Sequence, residues 1–322
     1  MFISVLFFAL GLVLLIKGGD WFVDGATGIA RRFRLPDIIV GATVVSIGTT
    51  LPEVMVSTTG ALLGQGAMAY GNAIGSIICN TALIAAISVT CSPGSVNVKT
   101  MKMPVLFFFA SAAVYCLAAY LLGTFPRWLG LMMLTLFVIY LIANVRQGLR
   151  YPEETAEETE SAKTPRSLAM ELVLLVIGAA LIAYGANLLV EHGTIIAQKL
   201  GVPETVIALT FVALGTSLPE LITTITSLKK GHASLGIGNV IGANVFNLVL
   251  VSGVAVTIAP FDVPVGKLLL GRNASLVLDI PLMLLVMLLL TVPALTKKRL
   301  SRWQGITLLC IYAAFCAFQF FV

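Results

Sequence analysis

Gly41-Ala-Thr-Val-Val-Ser46-Ile-Gly48-Thr49-Thr50-Leu51-Pro52-Glu53 and Ala208-Leu-Thr-Phe-Val-Ala213-Leu-Gly215-Thr216-Ser217-Leu218-Pro219-Glu220 carry one pattern twice in one chain. The match extends outward without a gap. Residues Gly11 to Asn80 fall on Gly178 to Asn247 at a constant offset of 167, with Gly18 on Gly185, Pro36 on Pro203, Asn72 on Asn239 and Asn80 on Asn247. The chain is therefore read as two related halves. Between them, residues 148–166 include Glu153, Glu154, Glu157, Glu158 and Glu160, a composition too polar to bury a core of its own. That gives a first repeat at 1–147, an acidic linker at 148–166 on the cytoplasmic side, and a second repeat at 167–322.

The halves belong in a bilayer. Hydrophobic residues make up 58% of the chain and charged residues 11%, and the mean hydropathy is +1.02, far too apolar for a chain that keeps a wetted surface. A helix needs roughly 20 apolar residues to cross the hydrocarbon core. Apolar stretches at 2–30, 37–63, 66–90, 104–122, 127–146, 168–197, 203–228, 233–258, 273–292 and 303–322 predict an all-α membrane protein of ten transmembrane helices. Five crossings per half is an odd number, so the second half enters the membrane upside down relative to the first. Such inverted repeats place a substrate site near the midplane where the halves meet. The first stretch is read as a retained helix, because no basic segment precedes it and Lys17, Asp20 and Asp24 interrupt its continuation.

Basic residues set the orientation. With the N-terminus outside, the inner loops hold the clusters Arg31-Arg32, Lys229-Lys230 and Lys297-Lys298-Arg299, together with Arg34, Lys99, Lys102, Arg146, Arg150, Lys163, Arg166 and Arg302. The outer loops hold only Arg127, Lys199, Lys267 and Arg272. The positive-inside rule then predicts both termini outside. The net charge of +5 is spread over these loops, so nucleic acid is not expected as a partner. Cys79, Cys91, Cys116, Cys310 and Cys316 match no metal-ligand spacing and read as small apolar side chains.

Ser46, Thr49, Thr50 and Glu53 are spaced i, i+3, i+4 and i+7 and share one helical face. Thr216, Ser217 and Glu220 repeat it. Pro52 and Pro219 have no N–H to give, so each should break its helix one turn upstream and free carbonyl oxygens beside the hydroxyls. A carboxylate at membrane depth costs at least a few kcal/mol, so Glu53 and Glu220 call for a functional reason. Asn72, Ser76 and Asn80 add a polar stripe every fourth residue, and Asn239 and Asn247 mirror its ends. For Asn72 and Asn239, a bond between helices and a ligand role stand equal. Carboxylate, hydroxyl, amide and carbonyl oxygens without paired His or Cys make a site for a hard cation. Ca²⁺, which takes six to eight oxygens in loose geometry, suits it better than Mg²⁺, and Na⁺ can use subsets of the same oxygens.

At these residues the sequence resembles the calcium/cation antiporter superfamily, specifically the prokaryotic sodium/calcium exchangers, over essentially the whole chain. Gly48-Thr49-Thr50-Leu51-Pro52-Glu53 and Gly215-Thr216-Ser217-Leu218-Pro219-Glu220 look like that family's paired repeats. The resemblance implies ten helices in inverted five-helix halves with ions held between helices 2, 3, 7 and 8. It makes Glu53 and Glu220 the central ligands. Thr49, Thr50, Thr216, Ser217, Ser76, Asn80, Asn247 and the carbonyls of Ser46 and Ala213 would complete the calcium and sodium positions, with Asn72, Asn239 and Ala243 behind them. Some members carry Asp where Asn247 stands and Ser where Ala243 stands, which implies a weakened or differently charged sodium position here. The function expected is secondary antiport of Ca²⁺ against Na⁺ by alternating access, in a prokaryotic inner membrane, with Ca²⁺/H⁺ antiport on the same scaffold as the alternative. No cofactor is called for, and no catalytic set such as His-Glu-x-x-His or paired aspartates marks an enzyme.

Weaker signals remain. Lys17, Asp20 and Asp24, mirrored by Tyr184, Asn187 and Glu191, either snorkel at an interface or, as the resemblance implies, lie on helices whose Gly18, Gly19 and Gly185 ease a sliding motion. Asp279 beside Pro281 is a candidate intramembrane acid without a mirror, and His192 and His232 read as interfacial.

Overall fold

A computed structural model describes residues 2–150, 167–199, 215–265, 268–269 and 271–321. Their helices are α1 (Phe2–Phe33), α2 (Asp37–Thr49), α3 (Leu51–Leu62), α4 (Gly66–Cys91), α5 (Val98–Leu122), α6 (Arg127–Arg150), α7 (Leu168–Lys199), α8 (Leu218–Lys229), α9 (Ala233–Ile258), α10 (Ser275–Lys297) and α11 (Arg302–Phe321). Seven of them are long and apolar enough to cross a membrane, and α2 with α3 make an eighth crossing if that bent pair is one span. The protein is a helical membrane protein. The expected seventh span begins in residues outside those described and continues as α8.

Burial sorts the helices into two shells. The apolar windows of α4 and α9 are 72% and 78% buried, against 28% for α1, α6 and α7. The first two form the centre, and the others turn Leu6, Val13, Leu131, Val138 and Val176 outward, where lipid replaces water as the neighbour. One central cluster joins Ile74, Ile77 and Ile78 of α4 to Phe108 and Tyr115 of α5, Tyr140 of α6 and Phe246 of α9.

The paired halves touch reciprocally along α1 and α7. A Cβ built on Gly11 would lie 2.8 Å from the carbonyl of Gly185, and one on Gly185 would lie 2.8 Å from the carbonyl of Gly11. Gly18 meets Gly178 in the same way, at 3.0 Å. Residue numbers rise along one helix as they fall along the other, so the two are antiparallel. Only glycine lets the backbones come this close.

Short strand pairs tie loops of both halves together. Gly94–Ser95 pairs antiparallel with Arg299–Leu300, and Thr124–Phe125 with Phe261–Asp262. The first pair gathers loops expected to be inner, the second loops expected to be outer. A third pair, Leu268–Leu269 with Arg272–Asn273, closes a hairpin.

Candidate ion-binding site

The break expected from Pro52 lies at Thr50, where α2 and α3 meet at 46°. Pro52 and Pro219 each sit in the first turn of their helices, where a missing N–H costs nothing. Sequence did not foresee how the helices open elsewhere. Wide, π-type turns run over Gly41–Val45, Asn80–Ala85 and Asn247–Val251, and the last two begin at the paired asparagines. Such turns leave backbone groups off the regular ladder and recur at functional sites.

Glu53 and Glu220 are fully buried, and their carboxylates lie near enough to repel each other. Among the described residues neither oxygen of Glu53 has a hydrogen-bond partner, and Glu220 Oε2 has none. Glu220 Oε1 accepts a long bond, 3.5 Å, from the Thr50 hydroxyl across the two halves. No lysine or arginine of the described residues forms an ion pair with either glutamate. Asn80 and Asn247 are fully buried, and among the described residues both of their amide atoms and the Ser217 hydroxyl lack a hydrogen-bond partner. Ser76 is buried one turn before Asn80, and Thr216 is half-buried at the start of the turn into α8. Ala213 lies outside the described residues.

A second set of contacts joins α2 to α9. The Thr49 hydroxyl donates to Asn239 Oδ1 at 3.1 Å, and the Ser46 hydroxyl lies 3.0 Å from the Asn239 carbonyl and 2.8 Å from the Gly41 carbonyl. The Ser46 carbonyl, expected to be free, accepts the N–H of Thr50 at 3.0 Å, leaving one lone pair for an ion. Asn72 Nδ2 donates to the Glu53 carbonyl at 3.1 Å and to the Ser57 hydroxyl at 2.8 Å. Asn72 therefore positions α3, which carries Glu53, and Asn239 fastens α9 to α2. Ala243 is fully buried on α9.

Sequence reasoning passed over two features. Thr223, Thr224 and Ser227 follow Glu220 at i+3, i+4 and i+7, buried and, among the described residues, with unpartnered hydroxyls. The same spacing rule that found Thr49 and Glu53 would have found them. Tyr140 of α6 donates to the Ala42 carbonyl inside the first wide turn at 2.7 Å, and Asn144 supports Tyr140; a long-range contact of this kind leaves no local signature.

The weaker candidates fall elsewhere. Asp20 and Asp24 pair with Lys230, at 3.6 and 2.7 Å, while Lys17, Tyr184, Asn187 and Glu191 face outward. Asp279 lies near Tyr70. His192 stacks on Phe7, and His232 bonds Asp37 at 2.6 Å. All five cysteines are free.

Two buried carboxylates without a cationic partner among the described residues are neutralised either by protons or by a bound metal cation. The profile of the family described as sodium/calcium exchanger protein matches residues 3–146 and 170–321. The chain belongs to that family. It is 36% identical over 314 residues to an uncharacterized membrane protein of Methanocaldococcus jannaschii, covering 96% of each chain. The sodium/calcium exchanger MaX1 of Methanosarcina acetivorans is 29% identical, with 99% of each chain covered. Among solved structures, the sodium-calcium exchanger NCX_Mj, soaked with Na⁺ and Sr²⁺, matches with a TM-score of 0.79 at 33% identity over 98% of both chains. The two named exchangers are transporters, and this member of the family is a membrane transport protein rather than an enzyme.

Proposed function

We propose that the protein is a secondary antiporter that exchanges Ca²⁺ for Na⁺ by alternating access, with the ions bound between two inverted five-helix halves. One observation carries this reading: Glu53 and Glu220 are buried together, without a cationic partner among the described residues, in a ring of unpartnered amide and hydroxyl groups. A divalent cation balances the pair. Ser46, Thr49, Thr50, Ser76, Asn80, Thr216, Ser217, Asn247 and the Ala213 carbonyl supply the remaining calcium and sodium positions in this reading. The ten-span architecture is supported by the reciprocal, antiparallel contact of α1 with α7 and by family matches on both sides of residues 147–169. Both termini lie outside a prokaryotic cell membrane in this reading, with the linker inside.

The coupling ion follows from charge. Glu53 and Glu220 are the site's two formal charges, since Asn80 and Asn247 cannot ionise. One Ca²⁺ neutralises them, and sodium ions filling more than two positions leave the carrier positive. Each cycle then moves charge, and one elementary charge across 100 mV is worth about 2.3 kcal/mol. The experiment is ⁴⁵Ca²⁺ uptake into proteoliposomes loaded with Na⁺, with the potential clamped by K⁺ and valinomycin. Sodium leaves the lumen during uptake, so the rate should rise when the lumen is held positive. Uptake that ignores the clamp, persists without Na⁺ and follows a pH gradient would instead assign electroneutral Ca²⁺/H⁺ exchange.

A further inference from the structure

A cavity of about 820 Å³ opens at the basic end of the bundle, apart from the glutamate pair. Its walls hold the first-turn residues of three long helices: Asp37 and Ile38 of α2, Lys99 and Thr100 of α5, and Ala233 and Ser234 of α9. Each helix start brings the positive end of a dipole to the walls, and at α5 the N–H of Lys99 is taken by the Asn97 side chain at 3.1 Å. Lys99 and Arg150 add two full positive charges to the same walls. Asp37 is the opposing charge there, and its carboxylate is engaged by His232 at 2.6 Å.

A side chain also points to a ligand. Ser88 is only 2% exposed and lines the cavity, yet its hydroxyl has no hydrogen bond among the described residues. A buried hydroxyl facing an open volume is kept for a partner that enters it. Val89, Ile237 and Leu300 give the lining an apolar side, while Ser92, Ser95 and Asn97 add further polar groups. The volume suits a molecule of metabolite or headgroup size rather than one inorganic ion.

We propose that this cavity is a binding site for an organic phosphate, its phosphate group held by Lys99, Arg150, Ser88 and the three helix starts, and its apolar body against Val89, Ile237 and Leu300. The chemistry is shared by an anionic phospholipid headgroup and a soluble phosphate ester. Either ligand would touch the first turns of α2 and α9, which farther along carry Ser46, Thr49, Asn239 and Asn247. Binding can thereby bias exchange from outside the ion site. The inference stands on the cavity and is independent of which ions are exchanged.

The test is direct binding to purified protein in phosphatidylcholine nanodiscs. Trinitrophenyl-ATP fluorescence reports the soluble source, and native mass spectrometry of phosphatidylglycerol against phosphatidylcholine adducts reports the lipid source. At least one probe should bind saturably and weaken tenfold or more in K99A/R150A, because two charge-assisted contacts are lost. The charge-conserving K99R/R150K should retain binding within about threefold, which separates lost charge from lost fold. Binding of trinitrophenyl-ATP alone assigns a soluble ester, and preferential phosphatidylglycerol retention assigns a headgroup. No binding by either probe, or binding unchanged in K99A/R150A, overturns the proposal.

Discussion

Gly242→Ala puts the packing of α9 on α2 to a quantitative test. A Cβ at residue 242 would lie 2.6 Å from Cα of Ala42 and 2.8 Å from its carbonyl carbon, and would collide with the Ser46 hydroxyl. Carbon atoms settle at about 3.5–4.0 Å, so the helices must part by about 1 Å. The bond from Thr49 Oγ1 to Asn239 Oδ1, at 3.1 Å, and the one that the single Ser46 hydroxyl proton can give to the Asn239 carbonyl, at 3.0 Å, then pass out of range. At about 1 kcal/mol for each bond and about 1–3 kcal/mol for overpacking, the loss is about 3–5 kcal/mol. That is a large share of the roughly 5–15 kcal/mol that holds a native protein together. Thermal unfolding in detergent should fall steeply, and Ca²⁺ flux should be lost even from protein that still inserts. Unfolding within about 1 kcal/mol of the unmodified protein, together with intact flux, would refute the packing argument.

Four further outcomes follow from the same geometry. Glu53→Gln and Glu220→Gln should each abolish ⁴⁵Ca²⁺ exchange in folded protein, since a unit charge removed at about 4 Å costs about 4 kcal/mol per cation charge at an effective dielectric of about 20; unaltered affinity in either variant would remove that residue from the site. Tyr140→Phe strips the bond to the Ala42 carbonyl and should cost about 0.5–1.5 kcal/mol in unfolding while slowing flux, and no change in either would mean the wide turn needs no brace. Lys230→Ala breaks part-exposed pairs with Asp20 and Asp24 and should cost under about 1 kcal/mol, less in high salt; a salt-independent loss above that would be unexpected. Single cysteines in the 148–166 linker and at the C-terminus should label from opposite faces of the membrane, and labelling from one face would contradict the inverted repeat.

Much of this was legible in the sequence because the membrane simplifies the reading. Apolar length marked the spans, and two buried carboxylates stood out against a background where charge is expensive. The pairing of Glu53 with Glu220 and of Asn80 with Asn247 came from the offset alone. The wide turns at Asn80 and Asn247 were not legible, since no residue type marks where a helix adds an extra residue to a turn. The role of Asn239 stayed undecided for a different reason: whether it bonds Thr49 or an ion depends on how closely α9 approaches α2, which Gly41, Gly238 and Gly242 set together. For Asp20 and Asp24 the choice between snorkelling and a sliding helix stays open in the sequence, because Lys230 is about two hundred residues away and its nearness is a product of the fold.

The contact between α1 and α7 has a historical consequence. Gly11 rests on Gly185 while Gly18 rests on Gly178, and since Gly11 matches Gly178 and Gly18 matches Gly185, each contact is the other with the partners exchanged. Such reciprocity is the mark of an isologous interface between two identical subunits. A single ancestral glycine-bearing helix, meeting its own copy in antiparallel, would have formed both contacts at once. Fusion into one chain then freed each copy to drift alone. Ser46, whose counterpart is Ala213, and Asp24, whose counterpart is Glu191, are places where that freedom was used.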